Sequence, residues 1–92
     1  WIDCEPALAA HLFAVSHVIG RAQQAAFGCE RVGVIVAGFE VPHAHIHVIP
    51  MNSMADISFA NAATRVERAE LEAAALSLRI QLQALGRAEV SD

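Results

Sequence analysis

The stretch His43-Ala44-His45-Ile46-His47-Val48-Ile49-Pro50 decides how this chain folds and what chemistry it can carry. Three of the five histidines fall within five residues, alternating with Ala44, Ile46 and Val48. Successive side chains of a β-strand point to opposite faces. The spacing therefore predicts a strand with three imidazoles on one face and aliphatic residues on the other. The aliphatic face can pack on a core while the imidazoles line a cleft. Pro50 cannot donate to a ladder and is expected to stop the strand.

Upstream, Arg31-Val32-Gly33-Val34-Ile35-Val36-Ala37 is short and β-branched, which predicts a second strand. Its nearly continuous apolar run predicts cover on both faces. Gly38-Phe39-Glu40-Val41-Pro42 joins the two strands, and so brief a connection predicts an antiparallel hairpin. Further upstream, Glu5-Pro6 opens a helix, since proline suits the first turn and an acidic residue suits the positive end of the dipole. Leu8, Leu12, Val15, Ile19, Ala22 and Ala26 form its apolar stripe, with Ser16, Arg21 and Gln24 off it. Gly28 is placed to end it in the left-handed conformation. Downstream, Met51 to Phe59 shows no period and is expected to be loop, with Met54 as a packing residue. From about Arg65 a second helix is predicted, with Leu71, Ala74, Ala75, Leu78, Leu82 and Leu85 as its stripe and Gly86 as its cap.

A chain of 92 residues is one domain or less. It begins at Trp1 with no signal-like lead-in, which leads us to expect an N-terminally truncated piece, residues 1–92 forming a single domain. A domain of this size buries only part of its surface, so help from dimerisation or a preceding segment is expected. The net charge is −4 and all six basic residues are arginines, so a phosphate-loop lysine is excluded. The absence of a basic patch argues against duplex nucleic acid as partner, although a nucleotide needs only a few local donors. The apolar runs are too short to span a bilayer, so no membrane partner is expected. Cys4 and Cys29 form no CxxC pair, and two reduced thiols in a cytoplasmic protein are the expectation.

Three imidazoles in a row admit two chemistries. On a regular strand His43 and His47 would stand roughly 13 Å apart, too far to converge with His45 on one tetrahedral ion. Two of them with a ligand from elsewhere could still hold zinc. A row of rings suits a chain of phosphoryl oxygens better. The middle ring can be a nucleophile when neutral, its tautomer fixed by a hydrogen bond from its other nitrogen to a carbonyl. Flanking rings can stabilise charge on the phosphoryl oxygens. A lone histidine is usually a surface or core residue, and His11 and His17 in the first helix are weighed that way. Strict alternation of three, followed by Val-Ile-Pro, points elsewhere.

The residues resemble the histidine triad (HIT) family, whose signature is His-x-His-x-His followed by two apolar residues. His43, His45 and His47, then Val48 and Ile49, supply it, and Ala37-Gly38 and Val41-Pro42 match the lead-in. The resemblance implies an α+β, HIT-like fold: an antiparallel β-sheet with an N-terminal and a C-terminal helix packed on it, usually as a homodimer. It implies a nucleotide or nucleotide conjugate as partner, such as a nucleoside phosphoramidate or dinucleoside polyphosphate. Cleavage would occur at the α-phosphate through a nucleotidyl-histidine intermediate, with no cofactor and no metal expected. Carried across, His45 matches the nucleophile, His47 the histidine on the phosphate and leaving-group side, and His43 the one that orients the nucleophile. Glu40 stands where the family commonly has serine or threonine, and Phe39 where it commonly has glutamine. Glu40 is either a loop-surface residue or, with a raised pKa, an acid for the leaving group. The N-terminal strands that shape the nucleoside pocket in the family have no counterpart before the first helix here. Two further readings stay open beside the hydrolase or transferase: a catalytically weak or inactive nucleotide-binding sensor module, and a histidine metal site.

Overall fold

A computed structural model describes residues 1–37, 43–58 and 66–90 of the chain. In order they form helix α1 (Pro6–Phe27), strand β1 (Arg31–Ile35), strand β2 (His47–Met51), a 3-10 turn (Met54–Ile57) and helix α2 (Arg68–Ala84). The fold is α+β, as the motif implied.

Pro6 sits in the first turn of α1, where its missing N–H costs nothing. Gly28 closes the helix at φ 63°, its N–H bonded to the Gln24 carbonyl. Leu12, Val15, Ile19 and Ala26 are half-buried and Ala22 is fully buried, as the stripe predicted, but Leu8 is exposed. Ser16 and Gln23 are buried too. Both flank the stripe on the same side, seven residues apart, so the inward face of α1 is wider than the aliphatic residues alone indicate. Ser16 satisfies its hydroxyl by donating to the Leu12 carbonyl at 2.8 Å.

β1 and β2 pair antiparallel, with Arg31 opposite Met51, Val32 opposite Pro50, Gly33 opposite Ile49, Val34 opposite Val48 and Ile35 opposite His47. The pleat puts Val32, Val34, Val48 and Pro50 on one face and Gly33, Ile35, His47, Ile49 and Met51 on the other. α1 covers the first face: a Cβ on Gly20 would lie 3.3 Å from Val32 Cγ1. On the second, a Cβ on Gly33 would collide with Met51 Sδ and touch Ile57 Cδ1 at 3.5 Å. Met51 and the 3-10 turn thus fill the space that glycine leaves open. Val34 remains 43% exposed, so the expected cover on both faces is incomplete.

The strands are shorter than their sequence patterns. β1 ends at Ile35, not Ala37, and β2 starts at His47, not His43. Pro50 lies inside β2 and does not stop it. Proline is tolerated there because a ladder position whose N–H faces away from the partner loses no bond. Met51, expected in the loop, ends the strand and is buried. The loop beyond carries the 3-10 turn, and Met54 is 75% exposed, so it does not pack. Ser53 and Asp56 form a capping box on that turn, and the Asp56 carboxylate also accepts the Asn52 N–H at 2.8 Å. Asn52 Oδ1 accepts the Glu30 N–H at 3.0 Å, which clamps the Arg31/Met51 end of the ribbon.

α2 starts at Arg68 and packs chiefly on α1, which lies between it and the strands. Ala74, Ala75, Leu78 and Leu82 are half-buried, whereas Leu71 and Leu85, also on the predicted stripe, are exposed. Leu85 is the cap residue, and Gly86, one position later, takes φ 77°. The Gly86 N–H bonds to the Gln83 carbonyl and the Arg87 N–H to Leu82, the paired bonds of a Schellman motif. Among the described residues no helix is long and apolar enough to cross a membrane. Cys4 and Cys29 are both free thiols.

Candidate functional site

The histidine end of the ribbon lies opposite the clamped end. His47 opens β2 across from Ile35, and among the described residues no strand pairs with His43 to Ile46. Those four residues are therefore not strand, which corrects the single extended strand expected over the motif. Freed from the ladder, the backbone brings the rings closer than a strand would. His43 and His45 have centroids 5.2 Å apart with planes at 65°, and His45 and His47 are 4.9 Å apart at 90°. The roughly 6.8 Å step of alternate strand residues does not apply. The three imidazoles form one edge-to-face stack with His45 in the middle.

The central contact is His45 Nδ1 to the His43 carbonyl oxygen at 2.7 Å. A carbonyl only accepts, so Nδ1 carries the proton and Nε2 keeps its lone pair in the neutral ring. This local side chain-to-backbone bond also competes with an extended ladder over 43–45. His45 and His47 are half-buried and His43 is exposed, so a ligand can approach from solvent. The arrangement offers one ring nitrogen with a fixed lone pair, able to act as nucleophile or base. A second imidazole flanks it on either side.

Beside the stack lies an open cleft of about 550 Å³, lined by Trp1, Asp3, Cys4, Glu5, Leu8, His43 and Ala44. It joins the lead-in to α1 with the first triad histidine, a proximity that no spacing in the sequence indicates. Trp1 and Leu8 are both largely exposed and offer it apolar surface. Glu40 and Phe39 lie outside the described residues. Among the described residues no group of three or more His, Cys, Asp or Glu side chains is placed to hold a metal ion. His11 and His17 are exposed on α1.

One residue that joins the site's framework escaped the sequence reading. Gln23 donates from Nε2 to the carbonyl of Val48, the residue after His47, at 3.0 Å. The available signal was a polar side chain four residues after Ile19, flanking an apolar stripe.

The comparison with known families falls on this same part of the molecule. The match covers residues 1–54: α1, β1, β2 and the three histidines, with α2 outside it. A family model described as HIT domain thus matches more than half of the chain, and the chain belongs to the HIT family, nucleotide-binding proteins of the hydrolase and transferase kind.

Proposed function

We propose that this protein cleaves a nucleotide conjugate at its α-phosphate, with His45 as the nucleophile. The observation that carries the reading is the bond from His45 Nδ1 to the His43 carbonyl. In the neutral ring it leaves the lone pair on Nε2, the nitrogen that faces the substrate in this reading. In the first step Nε2 bonds to the α-phosphorus and the bond to the leaving group breaks, its electron pair going to the departing nitrogen or oxygen. In the second, water attacks the same phosphorus and Nε2 departs, releasing the nucleoside monophosphate. His47 on one side and His43 on the other donate to the non-bridging oxygens as charge builds there. Glu40, where the family commonly has serine or threonine, serves the leaving group as an acid. The substrate class is a nucleoside phosphoramidate or a dinucleoside polyphosphate. A homodimeric, cytoplasmic protein that requires no metal fits this reading.

Phe39 and Glu40 favour a second reading, a nucleotide-binding module that has lost turnover, since both depart from the family's usual residues. Intact mass spectrometry after incubation with an adenosine phosphoramidate, with His45→Asn alongside, decides between them. A transient nucleotidyl mass on the wild type alone supports covalent catalysis at His45. Binding with neither adduct nor product supports the module. Full turnover by His45→Asn overturns the nucleophile.

A further inference from the structure

The geometry points to Gln23 as a positioning residue that sets the triad strand against α1 and so fixes where His47, on the strand's other face, stands. It rests on the reading in which the triad acts on a phosphate. Gln23 is 8% exposed, and its Nε2 reaches a carbonyl 25 residues away in sequence. That carbonyl belongs to Val48, directly after His47 and two residues before Pro50. Proline's missing N–H must face away from β1 for the ladder to hold, and Val48 shares its parity. The backbone groups of Val48 therefore lie along the edge of β2 that β1 does not satisfy, and the Gln23 amide takes the place a neighbouring strand would fill.

A second observation sets this contact apart from ordinary packing. Gln23 Oε1 is buried with no hydrogen-bond partner among the described residues. An apolar side chain of the same length would avoid the desolvation of that oxygen. The amide is thus a costly way to fill the space, and what it provides is directional: one N–H aimed at one carbonyl. At the other end of β2 the ribbon is clamped through Asn52. At the histidine end, no backbone ladder continues past Ile35 and His47 among the described residues. Gln23 supplies a long-range side-chain bond that holds the strand near that end.

The test is Gln23→Met, which keeps length and burial and removes the donor, read by steady-state kinetics on an adenosine phosphoramidate. The imidazole NMR signals of the five histidines are followed beside it. Expected is a fall in kcat of about ten- to a hundredfold, the scale of a slightly misplaced catalytic group. KM should change by less than about twofold, because Gln23 does not touch the substrate. The His47 signals should shift or split while those of His11 and His17 stay in place. Wild-type kcat and unmoved His47 signals in a folded variant overturn the inference. So does disturbance of all five histidines alike, which marks a general folding defect. Should Gln23→Met not fold, Gln23→Asn, with its amide one methylene short, carries the same readouts. If the wild type shows no turnover, the hydrolase reading fails while the His47 signals still decide the role of Gln23.

Discussion

Helix α1 turns Ser16, Ala22 and Gln23 inward and touches both strands, whereas α2 buries no residue fully and leaves Leu71, Leu76 and Ile80 exposed. Both carry stripes of aliphatic residues at helical spacing. The difference lies in what stands opposite. α1 has a pleated ribbon on one side and α2 on the other, while α2 has α1 as its main neighbour. An apolar stripe specifies that a helix has a face to cover, and only the neighbouring elements decide how much of it is covered. The family match divides the chain along the same line, since it includes α1 and the ribbon and stops before α2. The triad histidines and the best-packed contacts therefore share one part of the molecule.

The largest expected effect removes the chemistry from the well-packed part without unfolding it. His45→Asn should lower turnover of an adenosine phosphoramidate by at least about a thousandfold, the scale of losing an activated nucleophile. Its circular dichroism should match the wild type; turnover within a few-fold of wild type would detach the triad from the reaction. Next, Met51→Ala removes a buried side chain packed over Gly33 and should cost about 2–3 kcal/mol in chemical denaturation. A cost under about 0.5 kcal/mol would show that the ribbon's second face contributes little.

The two glycine terminators compare the helices directly. Gly28 and Gly86 both have positive φ, so alanine at either should cost about 1 kcal/mol. Gly28→Ala should lower global stability by that amount. Gly86→Ala should act mainly on the hydrogen exchange of α2, because a helix with no fully buried residue can open on its own. Equal global effects would make the two helices one cooperative unit. The smallest change is Arg68→Ala, which removes an exposed Arg68–Glu72 pair at 3.0 Å. It should cost about 0.3–0.5 kcal/mol at low salt and less at high salt, measured by thermal denaturation.

Much of this was legible because it depends on local pattern. Proline at the start of α1 and the left-handed glycines after both helices follow from backbone chemistry that no distant contact overrides here. The antiparallel pairing of the two strands followed from the brief punctuated stretch between them. The strand limits were not legible. Alternation in His43 to Ile49 marks residues that could be strand, but a residue becomes strand only with a partner, and β1 ends at Ile35. Pro50 follows the same rule: whether its missing N–H interrupts a strand depends on which way it faces. Met54 looked like a packing residue because it is apolar, yet the turn that holds it directs it to solvent.

The candidate site divides in the same way. Its residue types, order and family membership are properties of a linear signature, and His43, His45 and His47 carry them without any coordinates. What tertiary structure decided is how those residues are held. The rings stack at 4.9–5.2 Å because residues 43–46 leave the ladder, and one ring nitrogen is committed to a carbonyl because the backbone bends to meet it. The strand that follows is tied to α1 by a glutamine 25 residues away. Local conformational preference acts over a few residues and is written in the sequence. Pairing, burial and long-range hydrogen bonds need partners brought close by the fold, so they exist only once the chain has closed on itself.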